Sequence, residues 1–339
     1  MDLKKTIIAL CTANGVSGAE ESAAEVAAGF LSQFGEVSTD RMGNVIGKIS
    51  TGGKKHILLD AHVDQIGLIV TRVGEAGFLH FAACGGMDRR VVLGKPVVVI
   101  GREKVRGIIA CTPPHLAGKD DKLPELSEMV IDTGLESDTA RQLVAPGDRI
   151  VIDQAPCSLL GDRMASPALD DRSGVAAILR SLELVQGKRL DCSLTVVFSV
   201  REEVNGAGAA VSAFAAAPDE AVVVDVGHAT IPGAPEDGTG KMGGGVMIGF
   251  APTLDYRVSR RMVELAKKEG IPYQYDVMNG RTGTNADQIS VAGKGVAAGV
   301  LSIPLKYMHT PVEVVRLEDV EQTGRLLAAY ILEGGVENG

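Results

Sequence analysis

The chain has 339 residues, 45% hydrophobic and 23% charged, an ordinary globular composition with enough material for two domains or one large one. Its net charge is −9 with no basic block, which argues against a nucleic-acid partner. No apolar run approaches the ~20 residues of a membrane span, and the absence of Trp leaves few side chains to stack on a polysaccharide.

In chain order, the N-terminal "MDLKKTIIALCTANGVSG" has a basic pair and a short apolar stretch but no convincing cleavage site, so no signal peptide is read. Cys11, Cys84, Cys111, Cys157 and Cys192 are odd in number, scattered and never in a CxxC pair. That usage fits reduced thiols, and a cytoplasmic location is expected. Residues 18–34 carry apolar side chains at helical spacing, with acidic residues in the first turn where the helix dipole favours them. "GNVIGKI" and "KHILLDAHVDQIGLIV" read as strands, the second nearly continuous in apolar residues and therefore central.

From roughly 67 to 161 the pattern becomes short strands broken by turn residues, "GFLHFAACGG", "KPVVVIG", "KVRGIIAC" and "GDRIVID", with one helical stretch at 134–144. "CTPPHLAGKDDKLPE" is a loop that its prolines keep from being helical. This is the signature of a small β-barrel or sandwich inserted into a larger domain. Past residue 171, helix and strand alternate: "DRSGVAAILRSLELVQG" (helix), "SLTVVFSV" (strand), "GAGAAVSAFAAA" (helix), "EAVVVDVG" (strand), "SRRMVELAKKEG" (helix), "GVAAGVLSIP" (strand) and an amphipathic C-terminal helix from 316 to 334. Buried strands alternating with helices predict an α/β sheet covered on both faces.

Charged residues gather where these strands end. His62 and Asp64 close one, Asp170 and Asp171 precede a helix, Glu202 and Glu203 follow another strand, and Asp225 and His309 end two more segments. Singly, each has an ordinary explanation: a hydrogen-bonded HxD pair, an N-cap, a solvated glutamate pair, a turn histidine. Together they would lie at the carboxyl edge of an α/β sheet, where ligands bind, and so many carboxylates there need cations to balance them. Two histidines with several carboxylates suit zinc, cobalt or manganese. Two such ions sharing a bridging carboxylate would activate a water, leaving one glutamate of the 202–203 pair as general base. Residue chemistry alone does not say which of the two it is.

In this order, "AHVDQIG", "ALDDRSG", "EEVNGAGA", "DVGHA" and "SIPLKYMHTPVEVV" resemble the M42 family of metallo-aminopeptidases, as do "GVSGAEE" and "GGMDRRVVLGKPV". The resemblance spans essentially the whole chain. It implies a metallo-exopeptidase fold: a mixed, mainly parallel sheet flanked by helices, formed by residues 1–66 and 162–339, with a small β-barrel oligomerisation domain inserted at 67–161. It further implies two divalent metal ions per subunit, zinc or cobalt with manganese as a further option, bridged by Asp170. His62 and Asp225 would complete one site, and Glu203 and His309 the other. Glu202 would be the general base, Asp64 would orient His62, and the Asp170–Asp171 peptide bond would be cis. The implied partners are peptide substrates and further copies of the chain, in a dodecamer built from dimers.

The chain departs from the family pattern at Gln65 and Asn285, where acidic residues are common, and in "HATIPG", which lacks an acidic residue before the Pro-Gly. These changes alter charge around the pocket and bear on substrate preference. His228 is read as a supporting residue rather than a ligand. The rival readings are a related di-metal deacylase or dipeptidase, and a non-catalytic assembly protein. A glycosidase fits poorly, since its two carboxyls must flank a bond at ~5–9.5 Å.

Overall fold

Alternation along the central strands sorts the hydrophobic core into two faces. On the strand Lys55–His62, Ile57, Leu59 and Ala61 pack on one side and Leu58 on the other; on the strand Glu220–His228, Val222, Val224 and Val226 oppose Ala221 and Val223. The computed structural model describes residues 1–113, 115–116, 122–235 and 237–336. Part of the expected loop 111–125 lies outside those residues.

The eight-stranded sheet runs in the order 36–39, 45–50, 192–199, 55–62, 220–228, 297–305, 246–250, 273–277. The four central strands from 192–199 to 297–305 are mutually parallel; 45–50 joins them antiparallel on one side and pairs antiparallel with 36–39, while on the other 246–250 joins antiparallel and pairs in parallel with 273–277. The first face is covered by the helices Leu3–Thr12, Glu21–Leu31, Leu169–Val185, Tyr256–Lys268 and Leu317–Leu332, whose apolar stripes join one core. The second face has only Ala207–Ala216 and Ala286–Ile289, of 10 and 4 residues. These short helices leave the carboxyl ends of the central strands open on that side.

Strands 67–73, 79–84, 130–132, 104–110, 96–100 and 149–152 close into a six-stranded barrel around Leu68, Leu79, Val97, Val99, Ile131 and Ile150. Closure removes sheet edges, so these short strands need no further partner. The continuous run expected at 55–70 is therefore two strands, Lys55–His62 in the sheet and Gly67–Val73 in the barrel. Gly67 sits at the crossing, where a Cβ would come within 2.5 Å of Val16 and 2.9 Å of the Ile150 carbonyl.

A three-stranded sheet of 157–159, 163–166 and 313–316 completes the fold. Helix Leu3–Thr12 and strands Val246–Phe250 and Tyr273–Val277 are not among the expected elements. The first is capped by Asp2, whose carboxylate accepts from the Lys5 N–H. Both strands are five residues long: 273–277 is the edge strand and carries little apolar pattern, and 246–250 is apolar but follows a glycine-rich segment. Among the described residues, no helix is long and apolar enough to cross a membrane.

Candidate metal centre and active site

Parallel register brings the strand ends level. Ser199 pairs with His62 and Val223 with Asp60, so Asp225, two residues further on, stands beside His62. All point to the thinly covered face. The long helix Leu169–Val185 begins beneath this edge, with non-helical backbone at Asp170 and Asp171 and a cis peptide bond between them.

The Asp170 carboxylate lies between two imidazoles: Oδ1 is 3.0 Å from His62 Nε2 and Oδ2 is 3.4 Å from His309 Nε2. His309 Nε2 also lies 3.2 Å from Glu203 Oε2. The His62 Nδ1 atom is turned to Asp64, 3.2 Å from its carbonyl oxygen and 3.4 Å from Oδ1, which leaves Nε2 as the atom offered to a ligand. Asp64 itself accepts from Ser17 Oγ at 2.6 Å and from the backbone N–H groups of Glu202 and Glu203 at 3.0 and 3.3 Å. It thereby fixes the turn carrying the glutamate pair as well as touching the imidazole.

Two groupings place three donor atoms within 4.8 Å of one another: His62, Asp170 and Glu203, and His62, Asp171 and Asp225. The structure thus gathers His62, Asp170, Glu203, Asp225 and His309 around one edge, and Glu202 lines the same cleft of about 590 Å³. It also brings in Asp171, which the sequence placed at the same edge before a helix but without a role as a ligand.

The electrostatics are those of an uncompensated acidic cluster. Burial, with the charges of Asp170 and Glu202, pushes Asp225 well above the usual carboxylate range, and His62 offsets this only in part. Burial and the Asp225 charge do the same to Asp171, whose Oδ2 has no hydrogen-bond partner. Burial raises Glu203, reinforced by Asp170, and pushes Glu202 up to about 7. Burial opposes ionisation of Asp170 too, but hydrogen bonds from His309 and His62 outweigh it and hold its carboxyl low. Hydrogen bonds to Asp170 and Glu203 push His309 up to about 11. Two imidazoles cannot neutralise five carboxylates, so this buried N/O donor set fits divalent cations.

Glu313 was not singled out in the sequence. Its two oxygens accept from the backbone N–H groups of His309 at 2.9 Å and Asp170 at 3.1 Å, tying together segments 139 residues apart. Its signal was a carboxylate within the apolar run "VEVV". Gly86, from the barrel side, also reaches the cluster: a Cβ there would come 2.7 Å from His309 Nδ1.

The departures have structural partners. Gln65 Oε1 accepts from buried Arg172 at 2.9 Å, and Asn285 Nδ2 donates to Asp60 and Ser199 at 2.7 and 2.8 Å, below the cluster. His228 is exposed at the mouth of the cleft.

A helix-flanked, mainly parallel sheet with such a donor set at its carboxyl edge defines a metal-dependent hydrolase. The model of the M42 glutamyl aminopeptidase family matches residues 43–326, and the chain belongs to that family of metal-dependent aminopeptidases. A lysyl aminopeptidase of Pyrococcus furiosus is 30% identical over 88% of this chain and 87% of its own length. The structure of an aminopeptidase from Desulfurococcus kamchatkensis superposes with a TM-score of 0.91 at 34% identity, covering 98% of this chain and 94% of that one. The Pyrococcus horikoshii TET1 peptidase, which can assemble into a tetrahedron or a large octahedral shell, superposes at 0.88 with 30% identity, covering 98% and 100%.

Proposed function

We propose that this aminopeptidase works with two divalent cations bridged by Asp170, with His62 and Asp225 on one and Glu203 and His309 on the other. The observation that carries this reading is the Asp170 carboxylate, whose two oxygens each face a different imidazole, at 3.0 and 3.4 Å. Bound there, the ions would supply Lewis-acid activation of a water and hold the free α-amino group and scissile carbonyl of a peptide.

The chain's own residues do the rest. Glu202 is the spare carboxylate lining the cleft, placed to take a proton from water and return it to the leaving amine. Asp64 positions both His62 and the Glu202–Glu203 turn, and Glu313 positions the Asp170 and His309 backbones. Residues 67–161 form the oligomerisation domain of a homo-oligomeric shell that only peptides enter, inserted into a catalytic domain of 1–66 and 162–339. A particle of 35.3 kDa by light scattering, the mass of one chain, would remove the shell from this reading.

Digestion of a mixed peptide library tests the chemistry. The protein is stripped by chelation, resupplied with zinc, cobalt or manganese, and the products are read by mass spectrometry. Stepwise loss of residues from free N-termini, only with metal, is expected, and N-acetylated peptides should survive. Loss of the acetyl group from the acetylated peptides would turn the assignment to a deacylase, and cleavage of free dipeptides alone to a dipeptidase.

A further inference from the structure

The cleft beside the cluster has a charge that the proposed chemistry does not use. Asp276, on the marginal strand Tyr273–Val277, lines the cleft together with Asp225 and Ser302. Its carboxylate is half-buried, and its one hydrogen bond among the described residues comes from Ser302 Oγ at 3.4 Å. Among the described residues, no Lys or Arg pairs with it. The other carboxylates of the wall are committed. Asp170, Glu202, Glu203 and Asp225 belong to the proposed metal centre, and Asp287 accepts from the backbone N–H groups of Thr282 and Gly283 at 3.0 and 3.1 Å. Arg281, the one Lys or Arg lining the cleft among the described residues, is exposed, as is His228. Once cations balance the cluster, the half-buried charge left in the wall is negative.

Position decides what that charge can meet. Asp225 and Ser302 are register partners on neighbouring strands, which lie about 4.8 Å apart, and Asp276 is one hydrogen bond beyond Ser302. A residue whose α-amino group is held at the cluster could reach Asp276 with a four-carbon stem, and Met278 and Met308 supply apolar wall for that stem.

We propose that Asp276 determines specificity in this cleft, selecting peptides with Lys or Arg at the N-terminus by pairing with the side-chain cation. The inference rests on the aminopeptidase reading of the same site and adds its substrate class. A half-buried ion pair gives more discrimination than an exposed one, because less solvent screens it.

The metal-loaded enzyme is assayed on peptides X-Ala-Ala with X = Lys, Arg, Leu or Glu. The wild type should rank Lys and Arg above Leu and Glu. In D276N the Lys-to-Leu ratio of kcat/KM should fall at least about tenfold. D276K should move the ranking toward Glu, which guards against loss of folding as the cause. A wild-type preference for Glu or Leu overturns the proposal, as does a D276N enzyme that keeps the wild-type ratio. Those outcomes leave the aminopeptidase site standing. Failure to release any N-terminal residue with metal bound overturns both.

Discussion

One strand of the sheet carries a buried carboxylate near each end, and the two are treated in opposite ways. Glu220 and Asp225 are each 5% exposed. Around Glu220 the fold supplies Lys55 in an ion pair, the Tyr330 hydroxyl at 2.7 Å and the Val336 N–H at 3.1 Å. Around Asp225 it supplies, among the described residues, the N–H of Val226 at 2.7 Å and the shared imidazole of His62, which offsets burial only in part, and then more carboxylates. Burying an unpaired charge costs far more than a hydrogen bond returns. The same strand solves that problem internally at its amino end and leaves it for a cation at its carboxyl end. Burial alone therefore does not mark a functional acid; burial without a partner does.

The contrast is sharpest in activity. E202Q should retain bound metal while turnover falls by ~10²–10⁴, the contribution of a positioned proton-transfer group. Metal content by atomic absorption beside peptide turnover checks this, and retained turnover would end the assignment of Glu202 as base. E220A should do the reverse. It strands Lys55 in a buried site, so stability should drop by ~3 kcal/mol in chemical denaturation while bound metal per folded chain stays the same.

E313Q lies between these cases. Glutamine keeps one carbonyl acceptor but replaces the other with an N–H₂ group, so one of the Asp170 and His309 N–H groups loses its partner. Metal affinity by competition with a chelator should weaken ~10–100-fold, as for other residues that hold ligands in place. An unchanged affinity would show that the cis Asp170–Asp171 segment and the His309 turn hold their shape without Glu313.

Much of this contrast could be read in the sequence, because the strand ends are local features. Apolar runs ending in His62, Asp225 and the Glu202–Glu203 pair place those residues at the sheet edge before any coordinates. Glu313 and Gly86 could not be found that way, since their roles depend on segments far apart in the chain meeting at the cluster. Asp171 was hidden for a different reason: in "DD" one carboxylate can cap a helix and the other serve the site, and only the backbone turn at 170–171 shows both directed inward. The edge strand 273–277, Tyr-Gln-Tyr-Asp-Val, carries little apolar pattern, and Asp276 lies on it; the apolar strand 246–250 is only five residues long and follows the glycine-rich "GTGKMGGG", which obscures it.

The pH dependence of the metal-free protein gives the smallest expected effect and bears directly on the comparison. Burial pushes Glu202 from 4.5 in an unfolded chain up to about 7 in the fold, so the native state holds this proton more tightly. Its stabilising contribution is then complete below about 4.5 and is lost as pH rises through about 7, where the half-buried group must ionise beside Glu203, Asp170 and Asp64. Replacing the ionisable group with an amide removes that loss. Metal-free E202Q should match the metal-free wild type at about pH 4 and exceed it by ~1 kcal/mol at about pH 8, a figure discounted for partial exposure. Added zinc should shrink the gap, because the cations balance the charge that the fold leaves unpaired. If metal-free E202Q tracks the wild type from pH 4 to 8, then the imidazoles of His62 and His309 already balance Glu202, and the two ends of the sheet differ less than their hydrogen bonds suggest.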